Sequence, residues 1–446
     1  MSHEPETSAA SSRTSAPSRR TILTGAAWSV PVIAAASIAP MASASGVTAL
    51  AFDKASYSGT ACGTITGAYV TVTVGGVPTA GQSVTVTLSG GYTFSGGAAT
   101  YTGASDGSGK VSLPSINVPA VGGSQTLSAV ALGATSSSAS VIAPVPASSA
   151  ARYYDSFALR NQTPGQPLRQ SFSDVAAGAT AVGYLAFLAP NGELRQNGGL
   201  VANGVTSATA HRYDDATGAW HNTATYVDAS GAHYYDANGP VRLTFSDVPA
   251  GSQAIGYLAF LSSTGDLRQN GTLVATGVTS ATAHRYDDTT WHNTATYVDA
   301  SGGHYFDANG PVRLSYNNVP AGSKAVGYLA FITPSGDLVL NGTVVDSGVL
   351  SATAQRYDDA TWHNTTTYVT ASGGHYYDAN GSVRRSFTVP SGSKAVGHLA
   401  FLAPNGDLSV NGTSVDTGVL TASAQHYDDS TTTTHNTVTY TTAPAC

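Results

Sequence analysis

Residues 294–311 read TATYVDASGGHYFDANGP and residues 328–343 read YLAFITPSGDLVLNGT. The two stretches share one grammar: an alternating strand, a Ser-Gly turn, a short strand, then Asn-Gly. Asn-Gly between alternating hydrophobics is the strongest short-range hairpin signal. Such pairs recur at Asn197, Asn238, Asn270, Asn309, Asn341, Asn380 and Asn411, spaced by 41, 32, 39, 32, 39 and 31 residues. Seven half-units of two alternating flavours are therefore complete. They sit inside a longer repeat, because Tyr-Leu-Ala-Phe begins at Tyr184, Tyr257 and Tyr328 and returns as His-Leu-Ala-Phe at His398, every 70 to 73 residues. Repeats of this length bury their apolar faces against their neighbours.

The ends supply an eighth half-unit. Arg152-Tyr153-Tyr154-Asp155 matches the second strand of a half-unit, His304-Tyr305-Phe306-Asp307, while Thr437–Thr442 (TVTYTT) matches the first, Thr294–Asp299. Pairing these two strands finishes a unit shared by both ends. A closed ring removes exposed sheet edges, so the expected architecture is all-β, with a propeller-like ring of β-meanders over residues 151–446. The alternatives are tandem small sandwiches or a β-solenoid.

Two different segments precede the repeats. Ser18-Arg19-Arg20-Thr21-Ile22-Leu23, the Ala-rich run to Pro40 and then Ala42-Ser43-Ala44 resemble a twin-arginine export signal, residues 1–44, cut after Ala44. Pro31 and Pro40 interrupt the run that a membrane anchor needs, about 20 apolar residues. Over residues 45–143, alternating stretches at 69–74, 83–88, 98–101, 110–113 and 125–132 are bounded by turn residues, which argues for a β-sandwich. Gly76-Val77-Pro78-Thr79-Ala80-Gly81 and Ser105-Asp106-Gly107-Ser108-Gly109-Lys110-Val111 resemble bacterial immunoglobulin-like domains of the invasin/intimin kind. That resemblance implies a spacer or adhesin module. Residues 144–150, with Pro144 and Pro146, read as a linker.

Charged residues make up 10% of the chain, against about 25% in average globular proteins. Removing residues 1–44 takes three arginines and two glutamates, leaving 16 basic and 24 acidic residues. This balance disfavours nucleic acid, whose phosphates demand basic stripes, and gives no reason to expect binding to anionic membranes; no other segment could span a bilayer, so no membrane insertion is expected. Cys62 and Cys446 are the only cysteines. In an exported chain two lone cysteines pair, and a Cys62–Cys446 bond would lock ring closure; the other reading is a terminal thiol that couples to a second chain.

Each copy carries a polar block. Arg212-Tyr213-Asp214-Asp215 precedes Trp220-His221-Asn222, Arg285-Tyr286-Asp287-Asp288 precedes Trp291-His292-Asn293, and Arg356-Tyr357-Asp358-Asp359 precedes Trp362-His363-Asn364. The fourth copy keeps His426-Tyr427-Asp428-Asp429 and His435-Asn436 but has no Trp. An exposed Trp beside carboxylate, amide and imidazole suits sugars, since the ring stacks on pyranose C–H faces while polar groups take hydroxyls. The candidate ligand-binding residues are thus Trp220, Trp291, Trp362, His221, His292, His363, Asn222, Asn293, Asn364, Asp215, Asp288 and Asp359. The competing reading packs Trp between blades and spends Asp-Asp on turns.

A second block, Tyr-Tyr-Asp-Ala-Asn-Gly after His233, is similar to the hairpins of choline-binding cell-wall repeats and of tyrosine-aspartate repeats. His stands where the choline family has Trp, so only the hairpin carries over. Asp-x-Asn-Gly lacks the downstream acid of a calcium loop, and no His or Cys spacing suits zinc; no cofactor is expected. No hydrolase elbow, phosphate loop or metalloprotease helix occurs, and adjacent acids such as Asp287-Asp288 point to opposite faces of a strand, unlike a glycosidase pair. The expected function is therefore non-enzymatic: a secreted or surface-associated protein binding a repetitive glycan or cell-wall polymer. An adhesin for a protein receptor is the alternative, and a propeller-type glycoside hydrolase a second.

Overall fold

The computed structural model describes residues 47–156, 167–215, 217–239, 241–287, 290–310, 312–358, 361–428 and 434–446. The expected export signal lies outside these residues, as do Asp288 and Asp359. The fold is all-β, an immunoglobulin-like sandwich followed by a propeller-like ring that strands from both ends of the repeat region close.

Alternation builds the sandwich. In Tyr69–Val74 and Ser83–Leu88, Val70, Val72, Val84, Val86 and Leu88 turn inward at every second position. The first strand joins Thr48–Phe52 and Lys110–Ser112 in one sheet; the second joins Thr100–Ala104, Gly123–Ala131, Ser137–Ala143 and Ser56–Ser58 in the other. Tyr92, Phe94, Ile116 and Leu127 complete the core between them.

Each copy of the repeat is one eight-stranded sheet made of a short and a long meander. In the second copy the short meander is Gln253–Gly256, Ala259–Leu261, Leu267–Gln269 and Thr272–Ala275. The long one is Ser280–Asp287, Trp291–Asp299, Gly302–Asp307 and Val312–Tyr316. A parallel bridge between Gly256 and Ala283 joins them. Only glycine fits this crossing, because φ is +148° and a Cβ there would lie 2.0 Å from the Ala283 carbonyl oxygen. Gly183, Gly327 and Gly397 make the same approach to Ala210, Ala354 and Ala424.

The two flavours of half-unit use Asn-Gly differently. In the short meanders Asn197, Asn270, Asn341 and Asn411 stand at φ of 47 to 49° and are followed by a glycine at positive φ, the two-residue hairpin turn. In the long meanders the pair lies in a longer loop, as between Gly302–Asp307 and Val312–Tyr316, with the glycine alone of the two at positive φ.

The ring closes as its internal copies predict. Ala150–Asp155 pairs antiparallel with Thr434–Thr442, matching Asp155 to Thr437 and Arg152 to Tyr440; the intact second copy matches Asp307 to Thr294 and His304 to Tyr297. The register is identical. Between copies, the Leu258, Leu329 and Leu399 amides donate to Thr225, Thr296 and Thr367 hydroxyls at 3.0, 2.9 and 2.8 Å. Across the closure, Leu185 donates to Thr439 at 2.8 Å. The repeated Tyr-Leu-Ala-Phe tyrosine meets the Tyr of the preceding polar block edge to face in Tyr213–Tyr257 and Tyr286–Tyr328, and Tyr184–Tyr427 repeats this at the closure.

The parallel inner strands give the ring two distinct faces. All begin on one face, where the sandwich docks: Val121 is buried against the turn at Gly406, and Gly91 packs on Asn405. Cys62 and Cys446 are disulfide-bonded, with Cα atoms 5.2 Å apart, and tie the sandwich to the end of the closing strand. Residues 144–149 are held as well, since Ser148 Oγ donates to the Ala179 carbonyl and Ser149 N–H to that of Thr442. The long inner strands end on the opposite face, at the hairpins that carry the polar blocks and the Asn-Gly loops.

Candidate binding face

On the face away from the sandwich, Trp220, Trp291 and Trp362 each open the second strand of a long meander, opposite Asp214, Asp287 and Asp358. Their backbones are fixed. The Asn238, Asn309 and Asn380 side-chain amides donate to the three Trp carbonyls at 2.7, 2.6 and 2.9 Å, so the Asn-Gly loop of each long meander clamps the start of the Trp strand. The indoles are 36, 47 and 48% exposed. In the fourth copy Thr434 takes the position, and its hydroxyl donates to Asp428.

The neighbouring candidates go elsewhere. His221, His292 and His363 lie flat on Tyr213, Tyr286 and Tyr357, with ring centroids 4.7, 4.5 and 4.8 Å apart. Each Nδ1 lies 2.6 Å from a carboxylate oxygen of Asp236, Asp307 or Asp378. The fourth copy keeps the arrangement across the ring closure, His435 stacking on Tyr427 and bonding Asp155 at 2.7 Å. Asn222, Asn293 and Asn364 are buried, and their backbone carbonyls accept from Ala237, Ala308 and Ala379. Asp215 caps its own turn through Thr217 and Ala219 and reaches His221 Nε2 at 3.2 Å. The Thr217 hydroxyl bond holds its carboxyl well below the usual carboxylate range. Asp288 and Asp359 lie outside the described residues.

The structure therefore brings together Trp, the first Asp and the Asn-Gly loop, and separates them from His and Asn. Alternation along the strand turns His to the other side, since successive residues face opposite ways; Asn, two residues after Trp, shares its side and is set apart by burial.

The arginine of the first three blocks has a role that the sequence alone conceals. Arg285 lies over the Tyr213 ring of the copy before it at 4.1 Å, Arg356 over Tyr286 at 3.7 Å, and Arg212 over Tyr427 at 4.1 Å. His426 completes the circle on Tyr357, at 3.9 Å between centroids. Arg212, Arg285 and Arg356 also bond Asp214, Asp287 and Asp358. Burial raises the Asp287 carboxyl, and Arg285 opposes that shift. The recurrence of Arg-Tyr-Asp in three copies, with His-Tyr-Asp in the fourth, is the signal that could have revealed this brace, but pairing between copies becomes visible only once the ring is closed.

No protein-family model matches the chain, and no curated protein matches it.

Proposed function

We propose that this is a secreted or surface-associated, non-enzymatic binding protein whose ring offers Trp220, Trp291 and Trp362 to a repetitive glycan or cell-wall polymer. The observation that carries this reading is that three indoles at equivalent positions are left in solvent while the residues beside them are packed. Single exposed apolar residues are ordinary, but the same exposed aromatic at one position of three copies repeats as a surface for a repeating ligand would. An exposed indole suits the C–H face of a sugar, and the adjoining turns supply amide and hydroxyl partners. Three copies on one rigid ring convert weak single contacts into avidity, provided the ligand repeats. The sandwich occupies the opposite face, which leaves the tryptophans free for a long ligand.

Polysaccharide pull-down and glycan-array binding test this reading. The expected result is binding that survives high salt and is lost in the triple Trp220→Ala, Trp291→Ala, Trp362→Ala variant. Retention on cell-surface proteins with no glycan binding would replace this reading with adhesion, and binding that the triple variant retains would move the site off this face.

A further inference from the structure

The four long inner strands place one residue of each copy at one level of the central channel: His211, His284, Gln355 and Gln425. Two residues earlier in each strand stand Thr209, Thr282, Thr353 and Ser423. With Ile255, Val326 and Val396 from the short strands, these residues line a cavity of 280 Å³.

The wall has unused hydrogen-bonding capacity. Gln425 shows the position satisfied: its Nε2 donates to the Ala210 carbonyl at 2.9 Å and its Oε1 accepts from the Arg212 amide at 3.3 Å. By contrast, His211 Nε2, Arg212 Nε, Thr282 Oγ1, His284 Nε2, Gln355 Nε2 and His398 Nδ1, all on residues of this wall, are buried with no partner among the described residues. Buried polar atoms in folded proteins are nearly always paired, so six around one cavity call for an occupant. Charge narrows its chemistry. Arg285 and Arg356 each make two bonds to Asp287 and Asp358, and Arg212 bonds Asp214. Burial lowers His211 to about 4 and His284 to about 3, so both imidazoles are neutral at pH 7. Each arginine's charge is thus balanced by a carboxylate, and Arg212 adds one unpartnered Nε–H donor to the wall. A hydroxyl fits such a wall, since it accepts from the Gln355 amide and exchanges either role with threonine or imidazole. The β-branched side chains cover C–H surface.

We propose that this cavity is a second binding site, separate from the tryptophan face, which takes a neutral hydroxylated molecule of monosaccharide size on His211, Thr282, His284 and Gln355. Ligand pockets run from about 300 to 1,000 Å³, so a cavity of 280 Å³, just under that range, holds a single ring and not a chain.

Saturation-transfer NMR on the full chain tests the site, with glucose, galactose, N-acetylglucosamine, myo-inositol and glycerol as probes. At least one ring-sized probe should receive saturation. Thr282→Val and Gln355→Leu should each weaken its binding about tenfold, as the loss of one buried hydrogen bond does. The triple Trp→Ala variant should bind it unchanged. Thr282→Val is nearly isosteric, so it keeps the test open if Gln355→Leu does not fold. The proposal is overturned if no probe receives saturation, if either folded channel variant binds as the parent does, if the triple variant loses the probe, or if a probe-soaked crystal holds only ordered water in the cavity.

Discussion

Trp291 and His292 are adjacent in the chain and opposite in environment. The indole is 47% exposed, whereas the imidazole is pressed between the Tyr286 ring and the buried Asp307 carboxylate. Trp291→Ala should therefore change stability by less than about 0.5 kcal/mol, as exposed substitutions do, while weakening polymer binding. His292→Ala should cost about 1–3 kcal/mol because it leaves one oxygen of the buried Asp307 carboxylate without its imidazole partner. Urea unfolding of the two variants, read beside pull-down binding, checks the contrast; a costly Trp291→Ala would mean that the indole serves the fold. Which of the two residues faces solvent was hidden in the sequence, since alternation states that neighbours differ but not which one points out.

Position 284 also governs acid sensitivity. His211 and His284 have folded pKa values of about 4 and about 3, depressed by burial from an ordinary 6.5. Below pH 6.5 the unfolded chain takes up protons that the folded chain refuses, so stability is complete above that pH and falls as pH drops towards 4. Copies three and four carry Gln355 and Gln425 at the same position. A His211→Gln, His284→Gln double variant should therefore lose less stability than the parent between pH 6.5 and 4; the residual slope belongs in part to His398, which burial also pushes down. Parallel urea titrations at the two pH values measure the difference, and equal slopes would contradict the assignment.

At the scale of elements, the hairpins were the legible part. Asn-Gly placed the turns, and the strands expected over 69–74 and 83–88 lie where alternation put them. The alternation of spacings near 32 and 39 residues separates two kinds of meander in the sequence itself. What the sequence hid was how a short meander joins a long one, because the joint is a single glycine crossing between strands far apart in pattern. Gly327→Ala tests that joint. Its Cβ would meet the Ala354 carbonyl oxygen at 2.0 Å on a backbone at φ +145°, so backbone must move, and a loss above about 4 kcal/mol is expected. Gly310→Ala, in an open loop at φ +79° with nothing within 4 Å, should cost only about 1–2 kcal/mol from the unfavourable φ. Similar losses in the two variants, by thermal unfolding, would remove the crossing from the account.

Across the whole molecule, closure rests on strands from opposite ends of the repeat region and on one covalent tie. Matching Tyr153-Tyr154 and Thr437–Thr442 to halves of an intact unit was enough to foresee the pairing. The brace of Arg on Tyr around the ring was not legible, because each contact joins two copies. The Cys62–Cys446 bond encloses a separation of 384 residues, and a crosslink closing so long a loop restrains the unfolded chain by about 2–5 kcal/mol. Cys446→Ser should lower the unfolding midpoint accordingly while leaving tryptophan-face binding intact, as read by denaturation and pull-down; an unchanged midpoint would show that the tie adds nothing to the closed ring.

Hydrogen exchange read by mass spectrometry tests closure most directly. Amides of Ala150–Asp155 and Thr434–Thr442 should be protected to the same degree as those of Gly302–Asp307 and Trp291–Asp299, the equivalent pair inside one copy. Rapid exchange in both end strands, with the internal pair still protected, would mean that the ring is open.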